Sequence, residues 1–61
     1  MAKLISKELS ALEDQLNFEH LLSAKYAAAA QEASDPKLKT CYKKHAAQHQ
    51  QNFRSLLGYL R

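Results

Sequence analysis

A single break interrupts the helix-forming composition of this 61-residue chain, the tripeptide Ser34-Asp35-Pro36. The chain holds one glycine and one proline, so few other positions can stop a helix. Asp35 can accept hydrogen bonds from the free N–H groups of the next turn, and Pro36 suits the first helical position. A turn this short leaves the two flanking helices antiparallel. The break therefore predicts an all-α fold, an antiparallel helical hairpin.

The predicted hairpin is one domain over residues 1–61. Its first helix is expected over about 4–33, its turn at 34–36 and its second helix over about 36–57. Gly58 is predicted to end the second helix in the left-handed conformation.

A lone hairpin of this length has little interior. Chains this small bury only about 60% of their unfolded surface and usually need disulfides, metals or association. Cys41 is the one cysteine, which excludes an internal disulfide, and it is expected to be a small core residue. Apolar residues recur in steps of three and four along both helices, over more surface than one neighbour can bury.

We therefore predict that two hairpins pair into a homodimeric four-helix bundle. The predicted dimer interface consists of large apolar side chains on both helices: Leu9, Leu12, Leu16, Phe18, Leu22, Phe53 and Leu56.

Charge is distributed unevenly. Residues 1–33 carry three lysines and five acidic residues, whereas residues 34–61 carry six lysines or arginines and one aspartate. An acidic helix lying against a basic one is the favoured explanation. Anion binding by the lysines is the alternative, but no aromatic residue alternates with them to stack on bases, so nucleic acid is not expected as a partner. No segment approaches the roughly 20 apolar residues of a membrane span and no leader opens the chain, which favours the cytoplasm.

Polar residues interrupt the apolar stripes of the two helices at similar distances from the turn, measured along the helix axes. Counted from the turn, Glu19 and His49 differ in height by about 3 Å at 1.5 Å per residue, so their side chains can meet. Tyr26 and His45 also lie at similar heights. The sequence therefore predicts a polar layer in the core that contains these four residues.

A carboxylate on an apolar stripe is costly unless it is paired or coordinated. Three interpretations remain open for Glu19: a hydrogen bond from His49 or Tyr26, a metal site, or a solvated group. The metal site would use Glu19 and His49 of each chain, with His45 as a further candidate ligand and Zn²⁺ or Fe²⁺ as the ion. No nucleophile with a base beside it is visible, so an enzyme is not expected.

Several of these residues carry a resemblance to a known family. One run in the first helix resembles the ligand-bearing helices of ferritin-like and rubrerythrin-like proteins: Glu19, Leu22, Tyr26 and Ala30. A second run resembles the histidine end of their Glu-x-x-His motif: His49, Phe53 and Leu56. The Asp-Pro-x-Leu-Lys turn is similar to that of the short spore-coat protein F-like members: Asp35, Pro36, Leu38 and Lys39.

The resemblance implies a ferritin-like bundle, a place in the spore coat, other coat proteins as partners and a ligand role for Glu19. One position departs from the pattern, since Ala46 stands where an active di-iron helix carries the bridging glutamate three residues before His49. A dimer would supply two Glu and two His, whereas the oxygen-activating centre uses four Glu and two His. We therefore expect a non-enzymatic structural or interaction protein, with a metal-binding protein as the alternative.

Overall fold

The computed structural model describes residues 4–60 and consists of two long helices. Helix α1 spans Ser6–Glu32, helix α2 spans Pro36–Leu57, and one 3₁₀ turn, Gly58–Leu60, follows α2. The two helices pack against each other, and residues 4–60 contain no strand. The prediction of an all-helical hairpin is thus confirmed.

The turn between the helices is followed at once by α2, which Asp35 and Pro36 start as predicted. One carboxylate oxygen of Asp35 accepts hydrogen bonds from the N–H groups of Lys37 at 2.8 Å and Leu38 at 3.4 Å. Pro36 occupies the first helical position, where its missing donor costs nothing. The start of α2 is therefore set locally, by adjacent residues.

Helix α2 ends at Leu57, as expected, whereas the start of α1 and the conformation of Gly58 differ from the predictions. Helix α1 begins at Ser6 because the backbone N–H of Ile5 donates to the Glu8 carboxylate at 3.0 Å, which caps the helix there. Gly58 has φ −58°, so the predicted left-handed cap is wrong. Its N–H still bonds the carbonyl of Arg54, and the chain continues into the 3₁₀ turn.

The interior of the hairpin is thin. Leu16, Glu19 and Ala30 are the buried residues within 4–60, and no side chain there is fully enclosed. Cys41 is exposed, so its expected place in the core is wrong. The molecule measures 46 × 16 × 11 Å and has a radius of gyration of 14.3 Å, against about 10.5 Å for a compact chain of this length. The hairpin is a rod.

The residues predicted as a dimer interface divide into two groups. The hairpin itself buries Leu16 and covers most of four others: Leu12, Leu22, Phe53 and Leu56. Leu9 and Phe18 are 37% and 53% exposed. Of the predicted interface residues, Leu9 and Phe18 are therefore the two that one hairpin leaves open to a second copy.

The uneven charge is not neutralised within the hairpin. In residues 4–60, one contact under 4.0 Å joins a carboxylate to a basic side chain, and it is between Glu19 and the imidazole of His49. The acidic helix and the basic helix therefore do not form the series of ion pairs that would explain the asymmetry. Over the same range, neither helix has an apolar stretch sufficient to cross a membrane.

Candidate functional site: a buried carboxylate layer

Glu19 lies on the face of α1 that packs against α2 and is 4% exposed. Its Oε1 is 2.7 Å from Nδ1 of His49, which is itself half-buried. An ionised carboxylate can only accept, so the imidazole Nδ1 donates in this hydrogen bond. The two residues whose heights match in the sequence therefore meet across the hairpin.

Asn52 completes the layer. Its Nδ2 donates to both carboxylate oxygens of Glu19, at 3.2 Å and 3.4 Å. Gln48 Nε2 donates in turn to Asn52 Oδ1 at 2.9 Å, which orients the amide. Our sequence reasoning missed Asn52. The signal that could have found it is its position three residues after His49, on the same face of α2.

These donors lower the pKa of the Glu19 carboxyl below its ordinary value of 4.5. The hydrogen bond from His49 is the largest cause, and burial opposes it by raising the pKa. The hydrogen bond from Asn52, the charge interaction with His49 and a hydrogen bond from Gln15 lower it further. The geometry and the pKa direction agree that the buried group is a carboxylate anion at neutral pH.

Tyr26 packs on the imidazoles of this layer. Its ring lies nearly parallel to that of His49, at 7° and 5.7 Å between centroids. The rings of His45 and Tyr42 lie 5.3 Å and 5.9 Å from it. In residues 4–60 Tyr26 makes no hydrogen bond to Glu19. Tyr26 therefore holds the His49 ring in place by stacking.

The donors for a metal ion are few in one copy. Within residues 4–60, no three His, Cys, Asp or Glu side chains lie close enough together to bind one ion. His45 was expected in the core, but it is exposed and packs with one side of its ring on Tyr26. A hairpin thus presents Glu19 and His49 as its candidate ligands, and a four-coordinate ion would need a second copy. The six-ligand di-iron centre implied by the resemblance does not fit this set.

An open groove of 620 Å³ lies between the helices, lined by residues other than those of the polar layer. Alanines form much of its lining, Ala27 and Ala46 among them, together with Lys39 and Lys43. Neither Glu19 nor His49 lines it.

Comparisons with protein-family models, curated proteins and solved structures found no match for this chain.

Proposed function

We propose that this chain is a non-enzymatic interaction protein, which pairs with a second copy to form a homodimeric four-helix bundle. The observation that supports this proposal is the large solvent-accessible surface of the hairpin. It is 5003 Å² for a chain of 6.9 kDa, whereas a folded monomer of that mass exposes about 4,000 Å². The excess of about 1,000 Å² exceeds the roughly 800 Å² that each partner buries in a standard interface.

The exposed surface includes large apolar side chains that favour association. They are between 37% and 63% exposed: Ile5, Leu9, Phe18, Leu21, Leu38, Tyr59 and Leu60. Each square ångström of apolar surface removed from water contributes about 25 cal/mol. Covering even part of this set with a second copy would offset much of the cost of association.

In this proposal the polar layer determines how the helices are aligned. Glu19 has its donors from α2 only where His49 and Asn52 lie beside it. Sliding α1 along α2 by one turn, about 5.4 Å, would leave the carboxylate without them. An unpaired buried charge is strongly unfavourable, so alternative alignments are disfavoured.

The resemblance to short spore-coat protein F-like chains supports a structural role in the spore coat, with other coat proteins as partners, for a protein made in the cytoplasm. A rod that associates through its long sides is suited to a layered assembly, and the exposed surface of this hairpin runs along its whole length.

Sedimentation equilibrium on the untagged chain tests the proposal. The expected result is a species of twice the chain mass, with a dimer fraction that rises with protein concentration. A monomer across the whole accessible concentration range would contradict the proposal.

A metal-binding protein is the second candidate, and the burial of Glu19 against His49 is the observation that favours it. In that case the carboxylates and imidazoles of two copies would hold one Zn²⁺ or Fe²⁺ ion. Elemental analysis of untagged protein decides between the candidates. Stoichiometric metal that is lost in Glu19→Gln and kept in the control His20→Gln would favour metal binding; absence of metal from protein prepared in its presence would exclude it.

A further inference from the structure

The exposed surface of α1 carries a row of side chains with coiled-coil spacing. Starting at Lys7 and ending at Glu32, the row advances alternately by four and three residues, and every member is exposed. We call it the α1 seam. Phe18 and Leu21 lie at its centre and are 53% and 62% exposed. Alternating steps of this kind keep a row on one side of a helix, where a second helix can cover it.

The seam is complementary to itself when a second copy runs in the opposite direction. A twofold axis that passes α1 between Glu19 and His20 places Phe18 of one copy against Leu21 of the other. The same operation places Leu21 against Phe18, as an isologous contact requires. The two most exposed apolar side chains of the middle of α1 would thus cover each other.

The charges of the seam follow the same symmetry. With this axis, Asp14 of one copy faces Lys25 of the other, and Lys7 faces Glu32. Each pairing occurs twice in the dimer, so eight charges combine as four opposite pairs. Within residues 4–60 none of these four side chains contacts an opposite charge in its own hairpin. All four are therefore available to a partner.

Other alignments of the seam bring like charges together. Sliding the antiparallel helices by seven residues in one direction sets Lys7 against Lys25, and in the other direction sets Asp14 against Glu32. A parallel arrangement in register sets every charge against its own copy. Like charges directly opposed are unfavourable, so the sequence specifies both direction and register.

We propose that α1 packs antiparallel on α1 of a second copy along this seam. The proposal rests on the self-association proposed above and adds the face, the direction and the register. Because the seam lies on the side of α1 away from α2, this pairing would replace the closed bundle proposed above by a four-helix layer with the two α1 helices at its centre. The turn of each hairpin would lie beside the open end of the other.

Charge reversal tests the pairing. Asp14→Lys is expected to raise the dissociation constant of the dimer about tenfold at low salt, because both symmetry-related pairs become repulsive. Adding Lys25→Asp should return it to within about threefold of the original value, because opposite charges face each other again. Asp14 and Lys25 are about 16 Å apart along one helix, so rescue within a single chain is excluded.

Glu13→Lys is the matched control, because it makes the same charge change at an exposed residue beside the seam. It should leave the dissociation constant within about twofold. Circular dichroism on each variant checks that helicity is kept. Two results would overturn the seam while leaving homodimerisation intact. One is an equal loss of affinity in Asp14→Lys and in Glu13→Lys, and the other is a double variant, Asp14→Lys with Lys25→Asp, whose dissociation constant does not recover. A wild-type chain that stays monomeric would remove the proposed function and the seam together.

Disulfide trapping gives a second measurement. In a Cys41→Ser background, the antiparallel seam places residue 11 of one copy against residue 28 of the other. Ala11→Cys with Ala28→Cys should therefore form a covalent dimer under mild oxidation. Neither Ala11→Cys nor Ala28→Cys alone should form a covalent dimer, because the two copies of either residue would be about 25 Å apart in the antiparallel dimer. Cross-linking of either single variant would overturn the antiparallel direction.

Discussion

Glu19 is a charged side chain in the most enclosed part of a molecule that has almost no interior. It tolerates this position because three hydrogen bonds from α2 satisfy its oxygens, one from His49 and two from Asn52. Burial alone would raise the pKa of this carboxyl, and the donors more than offset that effect. The ionised form is therefore part of the native structure.

This arrangement makes stability depend on pH in a defined direction. The pKa of Glu19 is below 4.5 in the folded chain, so its contribution to the free energy of unfolding is complete above that value. The contribution falls as the pH drops through 4.5 toward the lower folded pKa, because the unfolded chain then binds the proton more readily. Urea denaturation should show wild type more stable than Glu19→Gln at neutral pH, with the difference shrinking on acidification. A difference that stays constant below pH 4.5 would contradict this account; Glu13→Gln is the control for the change in net charge.

Asn52 should contribute more to thermal stability than expected for a side chain that is only half-buried. Asn52→Ala removes both amide donors from a buried carboxylate, so we expect the melting temperature to fall by about 5 °C. Gln51→Ala is the matched control, because Gln51 is the adjacent residue and is exposed. Thermal unfolding followed by circular dichroism measures both. Equal effects would mean that the amide contributes nothing specific.

At the scale of the element, the start of α2 depends on one side chain. Asp35→Ala removes the acceptor of two N–H groups and should lower the free energy of unfolding by about 1 kcal/mol. Asp35→Asn should recover most of that loss, since asparagine caps nearly as well. Ser34→Ala, whose side chain makes no capping bond, controls for the turn. Urea denaturation of the three variants ranks them, and an Asn variant as weak as the Ala variant would disprove the capping role.

At the scale of the whole molecule, three residues within 4–60 are buried in one hairpin, so the proposed dimer is expected to add much of the stability. Association couples stability to concentration, so the melting temperature should rise with protein concentration. Leu16→Ala should lower both the melting temperature and the dimer fraction, at a cost of about 2 kcal/mol. Phe18→Ala should lower the dimer fraction and leave the melting temperature unchanged only at concentrations too low for dimers, because Phe18 is 53% exposed in the hairpin. Melting curves that superimpose at all concentrations would contradict the coupling.

The sequence by itself determined the two helices, their antiparallel course and the meeting of Glu19 with His49. Those features depend on local capping at Asp35 and on the constant rise of the helix, so counting residues from the turn suffices. The polar layer could therefore be anticipated, apart from Asn52.

Only the tertiary structure decided how each helix is rotated about its own axis. That rotation depends on side chains distant in sequence, and it covers Leu12 and Leu22 within the hairpin while leaving Phe18 and Leu21 in water. Both helices carry apolar residues over a wide arc, so periodicity alone does not tell which part of the arc the partner helix covers. The prediction for Gly58 was wrong for a local reason, since its N–H bonds the Arg54 carbonyl and the chain continues into the 3₁₀ turn.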